Sequence, residues 1–251
     1  MADQHPILLL GGTGRTGSRV LAQLLERGLR VRAIVRSRAK VAPELAQSPQ
    51  LSLTEASLLT LSHDQWLEHA RGCDAVISCL GHVLSVKGIF GRPRDLVTQA
   101  VKRACAAIET LRPAKAVKVI VMTSVSVNRQ EREPRRGYFE RGFLWALRAL
   151  VPPARDNQSA ADFLCRKIGT SDPFVEWAVI RPDSLQEGPI TNYALHETLI
   201  NSVARPGKTN MSNVAHFMCE LATNAEIWAK WKGKLPVIVN VGGAPGANDF
   251  Q

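Results

Sequence analysis

The sequence lacks several features that would point to particular classes of protein. It has only five cysteines among 251 residues, an odd number without C-x-x-C spacing, which argues against a disulfide framework and against a zinc site. No apolar run approaches the roughly 20 residues that a membrane-spanning helix requires. The first residues contain no signal-peptide hydrophobic region. From these absences we expect a cytoplasmic protein with reduced thiols and no bound metal.

Acidic residues are also scarce relative to basic ones. The chain has 32 Lys and Arg against 22 Asp and Glu, a formal net charge of +10. Such a surplus attracts phosphorylated ligands, nucleic acid or anionic membranes. The basic residues are spread along the chain and do not form one tract, so we expect a small-molecule substrate and no nucleic acid. Binding to a membrane surface stays open, as does the choice between monomer and homodimer.

Hydrophobic residues make up 45% of the chain, enough to bury a substantial core. Short β-rich apolar runs alternate with longer amphipathic stretches, a pattern typical of parallel strands joined by crossover helices. We predict an α/β fold with a doubly wound, mostly parallel sheet of about seven strands and helices on both faces. One domain would span residues 1–251, with a small substrate-side lobe at about 183–235. The predicted strands are 7–10, 31–35, 51–54, 75–79, 117–122, 176–180 and 236–239. The predicted helices are 16–27, 63–71, 95–111, 157–168 and 213–224.

A glycine-rich turn follows the first predicted strand, in ILLLGGTGRTGSRVLAQLLERG. Gly11 would make the turn, Gly14 would let phosphates approach the backbone, and Gly17 would let the helix pack on the strand. The free N–H groups and positive end of that helix favour a diphosphate. A glycine turn without a ligand is the structural alternative. The residues predicted to bind a dinucleotide here are Gly11, Thr13, Gly14, Arg15, Thr16 and Gly17.

A basic segment, VRAIVRSRAK, ends the second predicted strand. Arg36, Arg38 and Lys40 therefore lie where the adenosine ribose of a dinucleotide would bind. A free 2′-hydroxyl would favour an acidic residue there, whereas guanidinium groups can hold a 2′-phosphate through charge-assisted hydrogen bonds. We therefore predict NADPH as the cofactor. A solvated basic loop is the alternative interpretation.

These two segments, together with VISCLG, VMTSVS and WAVIRPDSL, resemble the atypical short-chain dehydrogenase/reductases. More narrowly, the chain resembles NmrA-like and biliverdin-reductase-B-like NAD(P)H-binding proteins with a Rossmann fold, over roughly residues 6–240. The resemblance implies that Ser78 to Gly81 flank the adenine or ribose and that Arg181 to Ser184 border the nicotinamide and substrate. Thr123 and Ser124 would then lie beside the nicotinamide. The further cofactor-binding residues that it implies are Cys79, Leu80, Gly81, Thr123, Ser124 and Pro182.

The sequence departs from this family pattern at two places. Ala56 and Ser57 stand where a Gly-Asp pair usually faces the adenine. The usual YxxxK pair is missing as well, because Gly142 and Glu197 stand four residues after the two tyrosines, Tyr138 and Tyr193. The standard proton relay of the short-chain family is therefore unavailable.

Three residues are candidates for catalysis. Ser124 could orient a carbonyl or relay a proton, or could only satisfy backbone groups at a strand end. Asp156 matches an acidic position in the reductase-B-like relatives, although an N-cap of the following helix would also explain it. His82 follows the fourth predicted strand and has a pKa suited to acid catalysis, but a lone loop histidine is more often structural.

A basic and aromatic segment at residues 129–155 interrupts the regular alternation of strands and helices. It could be a crossover helix, a lid over the substrate, or a surface helix for a membrane or partner. The resemblance and the cofactor-binding pattern together suggest an NADPH-dependent oxidoreductase that reduces a small conjugated or carbonyl compound. The alternative is a non-catalytic NADP(H)-binding sensor, regulator or assembly factor.

Overall fold

The computed structural model describes residues 5–81, 94–128, 152–201 and 206–241. Apolar β-branched runs form strands here, and stretches with apolar residues at three- and four-residue spacing form helices. The described strands are β1 (Ile7–Leu10), β2 (Val31–Val35), β3 (Leu51–Glu55), β4 (Ala75–Ser78), β5 (Val117–Met122), β6 (Val175–Pro182), β7 (Ser184–Gln186), β8 (Tyr193–His196), β9 (Lys208–Asn210) and β10 (Val237–Asn240). The described α-helices are α1 (Arg15–Glu26), α2 (Pro43–Ala46), α3 (His63–Ala70), α4 (Leu96–Leu111), α5 (Pro152–Phe163), α6 (Met211–Thr223) and α7 (Ala225–Trp231).

Eight of these strands form one sheet in the order β3-β2-β1-β4-β5-β6-β10-β8. All neighbours pair in parallel except β8, which runs antiparallel to β10 at the edge. At the centre, Leu10 of β1 stands opposite both Ile34 of β2 and Ser78 of β4. The chain leaves β1 in one direction and β4 in the other, so the strand order reverses between them. Ligands of open α/β sheets bind at such a reversal, outside the carboxyl ends of the strands.

The helices cover the sheet on both faces, which confirms the predicted doubly wound Rossmann-type fold. Alternate residues of β1 show the arrangement, because successive side chains of a strand point to opposite faces. Leu8 and Leu10 belong to the core under α3, α4 and α5. Ile7 and Leu9 belong to the core under α1, α6 and α7.

The structure changes some predicted boundaries and adds elements. The described part of helix α5 already includes Pro152, five residues before the predicted start. Its continuation at Leu164–Ile168 is a π-helical turn. Strand β8 was not predicted, and it lies within the segment predicted as a substrate-side lobe. Strands β7 and β9 of the same segment form a separate two-stranded parallel sheet.

Two expectations about the environment can be compared with the described residues. No helix among them is both long and apolar enough to cross a membrane. All five cysteines lie in the described ranges and are free thiols, four of them buried. No group of three potential metal ligands occurs in the described part of the chain, and the absence of a metal stays a prediction.

Candidate functional site

The glycine turn lies at the reversal point between β1 and β4. Gly11 has a φ of 81°, a left-handed conformation that favours glycine. A Cβ atom there would stand 2.9 Å from the carbonyl carbon and oxygen of Cys79, at the end of β4. The Gly14 N–H donates to the Gly11 carbonyl oxygen at 3.0 Å and closes the turn. The first glycine of the predicted motif therefore has the role that the sequence suggested for it.

Helix α1 begins directly behind this turn. A Cβ atom on Gly17 would stand 2.1 Å from the Gly11 carbonyl oxygen, so only glycine allows the helix to approach the turn this closely. Gly14 is the N-cap residue, no side chain caps the helix, and its first turn contains no acidic residue. The N–H groups at the start of α1 therefore have no anionic side chain competing for them within the first turn. This geometry fits a diphosphate, which the helix N-terminus would stabilise.

The other predicted residues of the turn differ in exposure. Arg15 is exposed, Thr13 is partly buried, and Thr16 is buried. The Thr16 side chain therefore packs inside the turn, whereas Thr13 and Arg15 remain accessible to a ligand at the start of α1.

The basic segment after β2 is exposed, but its three cations are not equivalent. The guanidinium of Arg38 donates to the Leu53 carbonyl oxygen at 2.5 Å, and its backbone N–H donates to Glu55 Oε2 at 2.8 Å. Arg36 and Lys40 form no side-chain hydrogen bond or ion pair within the described part of the chain. Arg38 thus fastens the segment to β3, and the two other cations are free to meet a phosphate.

Glu55 is a neighbour that sequence reasoning missed. No acid lies between Arg27 and Glu44 in the sequence, yet the parallel pairing of β2 and β3 places Glu55 opposite Val35. The carboxylate therefore stands beside the predicted ribose position although it is 17 residues from Arg38. Register between strands, which the sequence did not reveal, brings it there.

At the end of β4, Cys79, Leu80 and Gly81 border the glycine turn. The Cys79 N–H donates to the Leu10 carbonyl oxygen at 2.9 Å, and its thiol lies 3.8 Å from Met218 Sδ of α6. Burial raises the pKa of the Cys79 thiol, so this group stays protonated in the core. Leu80 is also buried, whereas Gly81 is exposed, and a Cβ atom there would have no atom of the described residues within 4 Å. A ligand here would meet backbone atoms and Gly81 more readily than the thiol.

The loop after β5 carries Thr123 and Ser124. The Thr123 hydroxyl donates to the Ile180 carbonyl oxygen at 3.1 Å, which commits it to the neighbouring strand β6. Ser124 is partly buried, and its Oγ lies 2.7 Å from Ser126 Oγ. Ser124 is therefore a partly exposed residue whose hydroxyl already has a partner, Ser126, which sequence reasoning did not identify.

Contacts from three directions hold this loop in place. The Val125 N–H donates to the Pro182 carbonyl oxygen at 3.2 Å. The Gln158 side chain of α5 forms hydrogen bonds with the backbone N–H and carbonyl of Asn128, at 3.0 and 3.1 Å. Arg181 donates to the Val127 carbonyl oxygen at 3.3 Å. Because its backbone is fixed, the loop presents the Ser124 hydroxyl in a defined position.

Arg181, which the family resemblance placed near the nicotinamide, has a fully buried side chain. Besides Val127, its guanidinium donates to the carbonyl oxygens of Leu235 at 2.8 Å and Glu197 at 3.1 Å. These bonds join β6 to three other segments of the chain. Pro182 is also buried and offers its carbonyl oxygen to Val125. Arg181 therefore acts on the site through the loops it holds.

Asp156 lies inside α5 and is buried. Its carboxylate accepts hydrogen bonds from the backbone N–H groups of Val97 at 2.8 Å and Thr98 at 2.9 Å, and from the Thr98 hydroxyl at 2.6 Å. The interpretation as an N-cap of its own helix is wrong, because that helix begins at or before Pro152. Asp156 instead caps α4, and its carboxylate balances the positive end of that helix.

Two predicted features lie outside the described residues. His82, the third catalytic candidate, belongs to the range 82–93. Most of the basic aromatic segment at 129–155 also lies outside them, up to residue 151. Both stay as sequence predictions.

A carboxylate from the other side of the site contacts the glycine-loop helix. Glu187 follows β7, and its Oε1 accepts from Arg15 Nη2 at 3.0 Å and from Arg15 Nε at 3.3 Å. Its second oxygen forms an ion pair with Arg19. Sequence reasoning missed Glu187 because 172 residues separate it from Arg15.

A network of side-chain amides holds the segment that carries Glu187. Asn213 of α6 is fully buried; its Oδ1 accepts from the Thr191 N–H at 2.8 Å, and its Nδ2 donates to Asn240 Oδ1 at 2.8 Å. Asn210 donates to the Pro189 carbonyl oxygen at 3.0 Å. The segment is therefore fixed to α6 and β10 by paired polar groups, which specify one arrangement in a buried setting.

Comparison with known proteins supports the cofactor assignment at family level. A family model described as NAD(P)H-binding matches residues 11–225. Among proteins with curated functions, none matches the sequence.

Several solved structures share the fold. A short-chain dehydrogenase/reductase of the wide type from Veillonella parvula, solved in complex with NADP, superposes with a TM-score of 0.69 at 13% identity, covering 98% of this chain and 99% of the other. A putative NADH-flavin reductase from Streptococcus pneumoniae gives 0.63 at 17% identity, covering 94% and 100%. An anaerobillin reductase from Escherichia coli O157:H7 gives 0.65 at 18% identity, covering 96% and 100%. At these identities the likeness establishes the fold alone.

Proposed function

Since the chain belongs to the NAD(P)H-binding family, we propose that it is an NADPH-dependent reductase of small conjugated or carbonyl compounds. One observation carries the cofactor part of this proposal. Helix α1 starts without a side-chain cap or a first-turn acid, directly behind a turn in which a Cβ atom on Gly17 would overlap the Gly11 carbonyl oxygen. Such a cradle suits a dinucleotide diphosphate.

NADPH is proposed over NADH because of the cations after β2. Arg36 and Lys40 are exposed and without partners within the described residues, and a guanidinium can bind a 2′-phosphate with two hydrogen bonds. Glu55 works against this preference, since its carboxylate accepts from the Arg38 N–H beside the same position. The two free cations outnumber that one carboxylate, so we expect NADPH to bind more tightly.

This preference can be measured by isothermal titration calorimetry. Arg36→Glu is expected to weaken NADPH binding at least about tenfold while changing NADH binding little, because only NADPH carries the 2′-phosphate. Arg166→Glu is the matched control, since Arg166 is exposed in the π-helical turn that precedes β6, at the opposite end of the sheet. Equal loss of affinity for both cofactors, or no loss for either, would contradict the preference.

A bound NADPH would supply the hydride. The protein would contribute by positioning the reactants and excluding water at the carboxyl ends of β4, β5 and β6. Ser124 is the residue best placed to offer a hydrogen bond to a substrate oxygen, because the residue is partly exposed and its loop is fixed by Arg181 and Gln158. A Ser124→Ala variant would then lower kcat with less effect on NADPH affinity.

The tyrosine-lysine pair of the short-chain family has no substitute in the described residues. The Tyr193 hydroxyl forms a hydrogen bond of 2.9 Å with His216 Nδ1 on the face covered by α6. Glu197, four residues later, forms an ion pair with Lys234. A substrate that spreads the incoming charge over a conjugated system needs no strong proton donor, and water can supply the proton. We therefore propose conjugated acceptors as the substrates. We also propose that the protein acts in the cytoplasm, as a monomer or a homodimer.

The same missing pair supports a second candidate function, a non-catalytic NADP(H) sensor. The two candidates differ in turnover. The test is oxidation of NADPH with a panel of flavins, quinones, tetrapyrroles and enals, followed by the loss of the absorbance band of the reduced nicotinamide. The reductase proposal predicts turnover with at least one of these classes. Tight NADPH binding without turnover, together with a partner that distinguishes NADPH from NADP⁺, would favour the sensor.

A further inference from the structure

Two arginines on successive turns of α1 share one carboxylate. Arg15, the first residue of the helix, donates from Nε and Nη2 to Glu187 Oε1, and Arg19 forms an ion pair with Oε2. Each carboxylate oxygen thus has its own arginine. Arg19 also donates to the Arg15 carbonyl oxygen. A single carboxylate therefore pairs with both cations next to the uncapped helix N-terminus and offsets one of their two charges.

Both side chains of this ion pair are exposed, Arg15 by 63% and Glu187 by 59%, and they differ in what surrounds their backbone. The backbone that follows Glu187 is held by two hydrogen bonds. Ser212 Oγ donates to the Gly188 carbonyl oxygen at 2.7 Å, and Asn210 Nδ2 donates to the Pro189 carbonyl oxygen at 3.0 Å. Arg15 is the first residue of α1, and its long side chain can turn toward the helix N-terminus. Arg19 lies one turn further along α1, so its side chain contacts Glu187 but lies farther from the helix N-terminus, where the diphosphate would bind.

We propose that Glu187 competes with the cofactor diphosphate for Arg15, and that Arg19 retains Glu187 when Arg15 turns to the phosphate. This inference rests on the proposed binding of a dinucleotide at the glycine turn. The guanidinium of Arg15 can serve a carboxylate or a phosphate with its paired donors. Exchange of partners leaves neither anion unpaired. The balance between them sets how tightly the cofactor is held and how fast it leaves.

The charges predict opposite effects for the two partners of the ion pair. Glu187→Gln removes the competitor and its repulsion of the phosphates, so NADPH is expected to bind about three- to fivefold more tightly, the range that an exposed ion pair supports. Its dissociation, followed by stopped-flow fluorescence, is expected to slow by the same factor. Arg19→Gln leaves Glu187 with Arg15 alone and is expected to weaken NADPH binding by a similar factor.

The double variant Arg19→Gln/Glu187→Gln tests the mechanism. Without the carboxylate, Arg19 has nothing to retain, so the double variant is expected to bind NADPH as tightly as Glu187→Gln alone. The difference between wild type and Glu187→Gln is expected to shrink in high salt, because exposed charges are screened. ADP, which carries a diphosphate, is expected to show the effect of Glu187→Gln, and adenosine is not.

Glu226→Gln is the matched control for the change in net charge. Glu226 is exposed in the first turn of α7. The preceding helix α6 ends where Lys118, near the start of β5, donates to the carbonyl oxygens of Leu221 and Ala222. Glu226 therefore lies toward the amino ends of the strands, away from the glycine turn. Its variant is expected to bind NADPH like the wild type.

The outcomes separate this inference from the proposed function. If the wild-type chain binds neither NADPH nor NADH, both are overturned. If the wild type binds NADPH but Glu187→Gln leaves the affinity unchanged, only the competition is overturned. Weaker binding by Glu187→Gln would overturn it as well, because it would show that the ion pair clasps the cofactor.

Discussion

At the scale of single residues, close backbone approach explains why particular glycines stand in the turn. Gly17 faces the Gly11 carbonyl oxygen, a backbone atom that cannot move aside as a flexible side chain could. A Cβ atom on Gly81, in contrast, would have no atom within 4 Å among the residues that the structure describes. Two glycines of the predicted cofactor site therefore carry different physical constraints.

Gly17→Ala is expected to lower the free energy of unfolding by about 3 kcal/mol, because the new methyl group forces α1 away from the turn. It is also expected to abolish NADPH binding, since the N–H groups of α1 would no longer converge on the diphosphate. Gly81→Ala serves as the control for stability and is expected to leave the free energy of unfolding nearly unchanged. Urea unfolding and calorimetry measure the two effects. A stable Gly17→Ala variant that binds NADPH normally would contradict this account.

Asp156 is a second residue whose role can be separated by substitution. Asp156→Ala is expected to reduce the free energy of unfolding by about 2 kcal/mol, because Val97 and Thr98 lose the acceptor for their N–H groups. Asp156→Asn keeps one acceptor oxygen and is expected to lose less.

Turnover decides whether Asp156 also takes part in catalysis. If Asp156 acts only as a positioning residue, Asp156→Ala is expected to lower kcat and the free energy of unfolding together. Asp156→Asn is then expected to recover most of both quantities. A stable Asp156→Asn variant with turnover reduced a hundredfold or more would show a catalytic role.

At the scale of elements, a buried arginine ties together segments that the sheet alone would not join. Arg181→Lys is expected to lower the free energy of unfolding by about 2 to 4 kcal/mol, because one ammonium cannot reach the carbonyl oxygens of Val127, Leu235 and Glu197 together. Freed from Arg181, the loop carrying Ser124 would move more, so kcat should fall more than NADPH affinity. Arg166→Lys, on an exposed turn, is the control for the same change of residue type. Unchanged stability of Arg181→Lys would contradict this role.

At the scale of the whole molecule, two partly buried histidines make stability depend on pH. Burial lowers the pKa of both His69 and His216 below 6.5. For His216, Glu220 acts in the opposite direction and Arg27 in the same direction as burial. In the unfolded chain each histidine binds a proton at higher pH than in the folded one. The contribution of these histidines to the free energy of unfolding should therefore be fully present above about pH 6.5 and should decrease as the pH drops below that value.

Urea unfolding between pH 5.5 and 8 measures this slope. His216→Asn keeps an acceptor toward the Tyr193 hydroxyl and cannot be protonated, so it is expected to flatten the slope below pH 6.5. The double variant with His69→Gln should flatten it further. A slope that is the same in wild type and double variant would assign the acid sensitivity to other groups.

Much of the fold could be predicted from the sequence, because local patterns carry it. Strands β1, β2 and β5 have the predicted ends, since each is an apolar run bounded by turn residues. Helix α5 was predicted to start at residue 157, because Asp156 fits an N-cap of the helix that follows it, whereas the described helix already includes Pro152. Strand β8 escaped prediction, since its four residues pair with β10 across a connection that no local pattern reveals.

The sequence by itself determined the glycine turn, the apolar strands that lead into it and the cations that follow β2. These features depend on residues close together in the chain, whose steric and periodic preferences act locally. Only the tertiary structure decided that Glu55 stands beside Arg38, that Asp156 caps another helix and that Glu187 pairs with both Arg15 and Arg19. Such pairs join residues far apart in sequence, and strand register and helix packing bring their charges together.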